Sequence, residues 1–135
     1  MTATRTVEIG RAECLQLLQH ESFLGRLAFA RDGIVEVRPV NYLADEGGLV
    51  FCTRSGTILD AVAAGTSVVF EVDANRPLDH SGWSVIVRGT AREISDPQEL
   101  EYLRRGPLKS WAVSPGERWV RIDIEQISGV RIPVQ

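Results

Sequence analysis

The sequence lacks the features that several function classes require. Its 135 residues include two cysteines, Cys14 and Cys52, and two histidines, His20 and His80, at spacings that suit neither a disulfide framework nor a metal site. The net charge of −3 provides no basic excess for nucleic acid. No apolar run approaches the roughly 20 residues that span a bilayer, and residues 1–11 lack the apolar segment of a secretory signal. We therefore expect a cytoplasmic protein with no metal and no membrane or nucleic-acid partner.

Motifs of the common nucleotide-dependent enzymes are missing as well. The chain has no G-x-G-x-x-G fingerprint and no Walker loop, which argues against the standard dinucleotide-binding and NTPase folds. No Ser-His-Asp arrangement is evident either. Hydrophobic residues make up 44% and charged residues 24% of the chain, as in ordinary folded proteins. The length fits one domain over residues 1–135.

Hydrophobic periodicity and turn signals predict about six strands and three short helices. The strands are predicted at residues 25–30, 34–43, 49–53, 67–72, 83–94 and 119–127. The helices are predicted at residues 9–20, at 57–64 and from Asp96 to about 105. Most strands follow one another through short turns such as Asp32-Gly33, without helical crossovers. This order predicts a mainly β fold, an antiparallel barrel rather than a parallel doubly wound sheet.

Pro39 and Gly89 interrupt two of the predicted strands. Proline has no N–H to donate to a ladder, so the strand around Pro39 is expected at a sheet edge or at a bulge. Such a position is often where a strand releases its backbone to another partner. Gly89 is expected to bend the long strand that contains it.

The polar loop at residues 53–57 joins a predicted strand to a predicted helix. A helix start presents free backbone N–H groups and the positive end of the helix dipole, which together suit a phosphate. Three hydroxyls and one guanidinium lie in this loop, which reads Thr53, Arg54, Ser55, Gly56 and Thr57. They can donate to phosphate oxygens. The alternative that Ser55 or Thr57 merely caps the helix stays open, because capping uses the same N–H groups.

Several segments, in this order, resemble a known family. They are Arg-Pro-Val-Asn-Tyr at 38–42, Phe-Cys-Thr at 51–53, Ser-Gly-Thr at 55–57 and Gly-Trp-Ser-Val-Ile-Val-Arg-Gly-Thr-Ala at 82–91. Over residues 10–131 the chain resembles the pyridoxamine 5′-phosphate oxidase-like split β-barrel flavoproteins. The resemblance is closest to the small branch that includes nitroimidazole-resistance-type proteins. It implies a six-stranded antiparallel split β-barrel of the flavin-binding type.

The resemblance also implies a homodimer with flavin mononucleotide (FMN) bound in a cleft between the subunits. The strand with Arg38, Pro39, Val40 and Asn41 would run beside the flavin ring and bind its polar edge through backbone groups. The loop at 53–57 would hold the phosphate. The implied function is that of an FMN-dependent oxidoreductase acting on a small-molecule substrate, with hydride chemistry supplied by the cofactor.

Two further segments enter the site by resemblance. Trp83, Ser84 and Val85 would approach the reactive edge of the ring, often from the partner chain. An ordinary core or interface aromatic is the alternative for Trp83. Trp119 and Arg121 on the last strand would help to hold the flavin of the partner subunit.

One residue departs from the family pattern. Ile58 stands where the family usually has a lysine that contacts the phosphate, so Arg54, or Arg121 of the partner subunit, is expected to replace it. Two alternatives to an FMN enzyme therefore remain open. One is a non-catalytic flavin-binding or sensing module. The other is a deazaflavin-dependent reductase, for which the extra cations would be Arg5, Arg11, Arg26 and Arg38.

Overall fold

A computed structural model describes residues 5–54, 56–106 and 116–134. These residues form eight strands and three helices. The strands are β1 (Val7–Ile9), β2 (Leu24–Arg31), β3 (Ile34–Asn41), β4 (Leu43–Asp45), β5 (Gly48–Thr53), β6 (Ser67–Arg76), β7 (Ser81–Glu93) and β8 (Arg118–Ile132). The helices are α1 (Arg11–His20), α2 (Gly56–Ala63) and α3 (Pro97–Arg105).

The strands form one antiparallel sheet in the order β3-β2-β6-β7-β8-β5-β4, with β1 paired to β8. The mainly β, antiparallel fold predicted from the sequence is therefore confirmed. The sheet is open, because β3 and β4 are its two ends and no pairing joins them within the described residues. Over the same residues the predicted count of six strands was too low. The two strands that were missed, β1 and β4, have three residues each, too few to show an alternating pattern.

The strands β6 and β7 form a longer hairpin than the sequence predicted. The sequence predicted that one strand ends at 72 and the next begins at 83, but the ladder runs on from Asp73 opposite Ser84 to Arg76 opposite Ser81. Polar residues are tolerated there because this end of the hairpin is exposed or half-buried. His80 closes the turn with a φ of 53°, a conformation that few residues other than glycine adopt.

The main core fills the space inside the curved sheet. Its largest fully buried side chains include Phe51 and Phe70, and α1 and α2 add Leu18 and Ile58. The Tyr42 ring packs edge-on against Phe70, with ring centres 5.3 Å apart, and its hydroxyl donates to the Leu18 carbonyl at 2.7 Å. A second, smaller cluster lies under α3 and consists of Val50, Ile94, Leu103 and Trp119.

Both interrupted strands behave as the sequence predicted. Pro39 lies in β3, the terminal strand of the sheet, so its missing N–H breaks no ladder on the outer side. At Gly89 the register between β7 and β8 shifts, and a Cβ there would clash with the Asp123 carbonyl oxygen. The turn at Asp32-Gly33 has positive φ at both residues, as a two-residue hairpin of this type requires.

None of the described helices is long and apolar enough to span a bilayer.

Candidate functional site

A cleft of about 390 Å³ opens between the free edge of β3 and the end of β5. Its wall is built from β3, from the last residues of β5, from the first turn of α2 and from the residue before β8. The lining residues are Arg38, Pro39, Val40, Asn41, Cys52, Thr53, Arg54, Ile58 and Glu117. Six of these nine belong to the site predicted from the sequence. The fold thus brings together the two segments that the sequence singled out.

The β3 wall offers side chains on two faces and a free backbone edge. Val40 and Arg38 point to the inner face, opposite Gly25 and Leu27, and Arg38 donates to Glu36 at 2.8 Å. Pro39 and Asn41 are exposed on the outer face. Because β3 is a terminal strand, the backbone groups on its far side take no part in the β2–β3 ladder. They can bind a flat polar molecule laid along the edge.

The first turn of α2 forms the other end of the cleft. Thr53 is buried, Arg54 is exposed, and Gly56 and Thr57 open the helix. Ser55, also predicted to bind phosphate, lies outside the described residues. No acidic residue occupies the first helical turn, so nothing in that turn offsets the positive end of the dipole.

Two arginines flank this helix start. Arg54 has no ion-pair partner among the described residues. Arg31 of β2 donates to the Thr57 hydroxyl at 3.4 Å and lies 3.7 Å from Asp60. Ile58, which stands where the resemblance implies a lysine, is 3% exposed and packs into the core. Positive charge therefore comes from the residues around the helix rather than from its first turn.

Sequence reasoning missed Cys52 and Glu117 as cleft residues. The thiol of Cys52 donates to a carboxylate oxygen of Glu117 at 2.7 Å. Burial, together with the hydrogen bond and charge of Glu117, raises the pKa of Cys52 to about 12. The two residues are 65 positions apart and meet because β5 pairs with β8. No local motif signals that pairing.

Trp83, Ser84 and Val85 do not reach this cleft in one protomer. Val85 is fully buried in the main core. Trp83 and Ser84 are half-buried and line a separate cavity of about 400 Å³ beside the β6–β7 turn, together with His80. Their strand, β7, stands three positions from β3 in the sheet, which is about 14 Å at the usual strand spacing.

Trp119 and Arg121 have structural roles within the protomer. Trp119 is 3% exposed and belongs to the cluster under α3. Arg121 donates to both oxygens of Asp45, at 2.7 and 3.1 Å, and to Glu99 at 2.8 Å. The hydrogen bond to Asp45 is the main reason why the pKa of Arg121 is raised. A flavin contact by either residue stays a prediction.

Alkaline pH is expected to weaken the fold between about pH 9 and 12. Burial raises the pKa of Cys52 from 9.0 and that of Tyr42 from 10.0, in each case to about 12. The folded state therefore keeps protons that the unfolded state releases, so stability falls as the pH rises through this window. Urea unfolding at pH 8, 10 and 11 measures the slope, which Cys52→Ser should reduce. An unchanged slope in that variant would contradict the assigned pKa.

The fold and the cleft define the class of protein as an open antiparallel barrel with an anion-compatible cleft along its free edge strand. Comparison with known proteins specifies the class further, because the family model described as pyridoxamine 5′-phosphate oxidase matches residues 10–131. The chain belongs to the pyridoxamine 5′-phosphate oxidase family, and the family resemblance predicted from the sequence is confirmed.

Three relatives are similar to this chain over most of their length. The uncharacterized protein Rv0080 of Mycobacterium tuberculosis is 34% identical over 97% of this chain and 88% of its own length. A solved FAD-binding protein from Mycobacterium smegmatis is 32% identical, with a TM-score of 0.73 over 97% of this chain and 98% of that one. A solved FAD-binding protein from Mesorhizobium loti is 25% identical, with a TM-score of 0.82 over 95% and 99%.

Proposed function

We propose that the protein is a flavin-dependent oxidoreductase that acts on a small-molecule substrate and binds its cofactor in the cleft between β3 and the first turn of α2. The observation that carries the proposal is the convergence of six predicted residues on that one cleft. The FAD-binding relatives add support, because they share the fold over nearly the whole chain.

The residues of the cleft fit a flavin nucleotide in chemical terms. Arg54 and the positive end of the α2 dipole suit a phosphate, since a guanidinium forms charge-assisted hydrogen bonds to its oxygens. The free backbone edge of β3 suits the polar rim of the flavin ring, because the outer backbone groups of a terminal strand have no ladder partner. A bound flavin would supply the hydride chemistry. The chain itself would bind and orient the cofactor and limit access of water.

The identity of the nucleotide has two candidates. The resemblance in sequence implies FMN, whereas the names of two solved relatives state that those proteins bind FAD. Both molecules carry the same ring and the same first phosphate, so the cleft described above fits either. A deazaflavin remains the alternative that titration can separate from both.

The proposal includes a homodimer, because one protomer does not complete the predicted site. Trp83 and Ser84 line a separate cavity and do not line the cleft. In the proposed dimer, a second copy supplies them to the flavin. The outer face of the sheet supports such an arrangement, since Val35 and Val37 of β3 are 72% and 53% exposed there.

Removal of the Arg54 guanidinium should weaken flavin binding. We expect Arg54→Ala to raise the dissociation constant about 10- to 100-fold, as loss of a charge-assisted hydrogen bond to phosphate predicts. Titration of FMN, FAD and a deazaflavin, followed by flavin fluorescence, gives the affinities.

The matched control is Arg105→Ala, which removes an exposed arginine paired with Glu101 at the far end of α3. It should leave the affinity unchanged. Equal affinity in wild type and Arg54→Ala would exclude the start of α2 as the phosphate site. If the wild-type protein binds none of the three nucleotides, the proposed function is wrong.

A further inference from the structure

A third cavity, of about 670 Å³, lies at the end of the curved sheet where β6 and β7 meet in their turn. Its walls come from the last turn of α1, from both strands of the β6–β7 hairpin and from the end of β8. The volume is typical of a pocket for a small organic molecule. This cavity and the cleft beside β3 have no described residue in common, so they are separate places on the protomer.

The cavity exists because one inward-facing side chain becomes small at this end of the sheet. Val72 of β6 and Val85 of β7 stand opposite each other and are fully buried in the main core. Side chains alternate along a strand, so the next inward-facing pair is Ala74 opposite Trp83. Alanine leaves open the space that valine fills deeper in the core. Trp83 packs against that core and also lines the cavity.

The walls of the cavity are mainly apolar. Leu17 of α1 belongs to the main core and lines the cavity from the helix side. Trp83 and Ile132 line it from the sheet. An indole ring presents a large, rigid, flat surface on which another aromatic ring packs in an offset or edge-on arrangement. The cavity therefore suits a flat apolar body.

The charged side chains that line the cavity have a positive excess. They are two guanidiniums, from Arg76 and Arg131, and the carboxylate of Glu21. Arg131 is balanced by an ion pair with Glu13. The ion pair of Arg76 among the described residues is with Asp79 at 4.0 Å, which is beyond hydrogen-bond distance. The guanidinium of Arg76 can therefore donate to an anion in the cavity.

We propose that this cavity is a second ligand site, which takes a flat, mainly apolar molecule with an acidic group, such as an aromatic carboxylate or sulfonate. The rings of the ligand pack on Trp83 in the space that Ala74 leaves open. Its acidic group binds to Arg76. The site is independent of the flavin cleft, and the inference does not rest on the proposed function.

Two fluorescent probes that differ in one charge test the site in the purified full chain. Anilinonaphthalene sulfonate carries an acidic group, and phenylnaphthylamine has the same rings without it. We expect Arg76→Gln to weaken binding of the sulfonate about 5- to 10-fold, as loss of a hydrogen bond to a charged group predicts, and to leave binding of the amine unchanged. The side chain of Arg76 is 80% exposed, so the fold should not change.

A second variant, Ala74→Leu, fills the cavity beside Trp83. It should weaken binding of both probes at least about tenfold, because their rings lose their space. Thermal unfolding of the variant checks that the fold is kept.

The control variant is Arg92→Gln on the neighbouring strand β7. It removes an exposed arginine that pairs with Asp123 and does not line the cavity, so both affinities should equal those of wild type. A saturating concentration of FMN should not displace either probe.

An unchanged sulfonate affinity in Arg76→Gln, or an equal loss of both probes, would overturn the preference for an acidic ligand. Unchanged binding in Ala74→Leu, or displacement of the probes by FMN, would overturn the site itself. The proposed function is tested separately by the flavin titration of wild type and Arg54→Ala.

Discussion

Replacing Arg121 by alanine is expected to lower the free energy of unfolding by about 3 to 5 kcal/mol, because its removal leaves the buried carboxylates of Asp45 and Glu99 without a positive partner. The side chain of Arg121 is 7% exposed, and those of Asp45 and Glu99 are 22% and 25% exposed. Without the guanidinium, two carboxylates would face each other with little access to water. Urea unfolding at neutral pH measures the loss.

This ion cluster connects elements that are distant in the chain. Arg121 is on β8, Asp45 ends β4, and Glu99 is on α3. The cluster therefore fixes α3 and the β4–β5 turn to the sheet behind the cleft. Its loss should loosen β5, whose last residues line the cleft.

A matched control separates burial from charge. Arg118→Ala removes an arginine three positions earlier on the same strand, paired with Glu93 in an exposed ion pair. Such pairs contribute about 0 to 1 kcal/mol, so the control should differ little from wild type.

Combining Arg121→Met with Asp45→Asn and Glu99→Gln should recover much of the stability lost in Arg121→Ala, because no unpaired charge remains. A loss below about 1 kcal/mol in Arg121→Ala would show that the cluster is solvated.

The sequence predicted local features well, because their causes are local. The Asp32-Gly33 turn and the start of α3 at Asp96 depend on residue types within a few positions. The missing N–H of Pro39 limited its strand to an edge or a bulge, and the structure places it at the edge.

Long-range pairing explains most of what the sequence did not reveal. The contact between Cys52 and Glu117 depends on the β5–β8 register, which no short motif determines. The sequence did indicate that Ser84 and Val85 do not line the same site, because successive side chains of a strand point to opposite faces of the sheet. In the structure Val85 is in the core, and Ser84 is half-buried.

Placing one charge on the outer face of the sheet should convert the proposed dimer to monomers. Val37, Ala28 and Val69 stand opposite one another on β3, β2 and β6, so an apolar stripe crosses three strands. An exposed apolar edge strand promotes aggregation unless something covers it. We propose that a second copy of the chain covers this stripe.

The variant Val37→Asp tests this face. Val37 is 53% exposed in the protomer, so the new carboxylate should cost little folding stability. In a dimer the same carboxylate would be buried without a partner. That should weaken association at least 100-fold, or about 3 kcal/mol. We expect monomers by light scattering at micromolar concentration and a parallel loss of flavin affinity.

Tyr102→Asp on α3 is the control, because Tyr102 is 67% exposed and lies outside the sheet. It should remain dimeric and bind flavin as wild type does. If Val37→Asp stays dimeric with unchanged affinity, the outer face is not the interface. If wild type is itself a monomer that binds flavin, the cleft of one protomer suffices. The predicted roles of Trp83 and Ser84 would then be wrong, because no second copy would bring them to the cofactor.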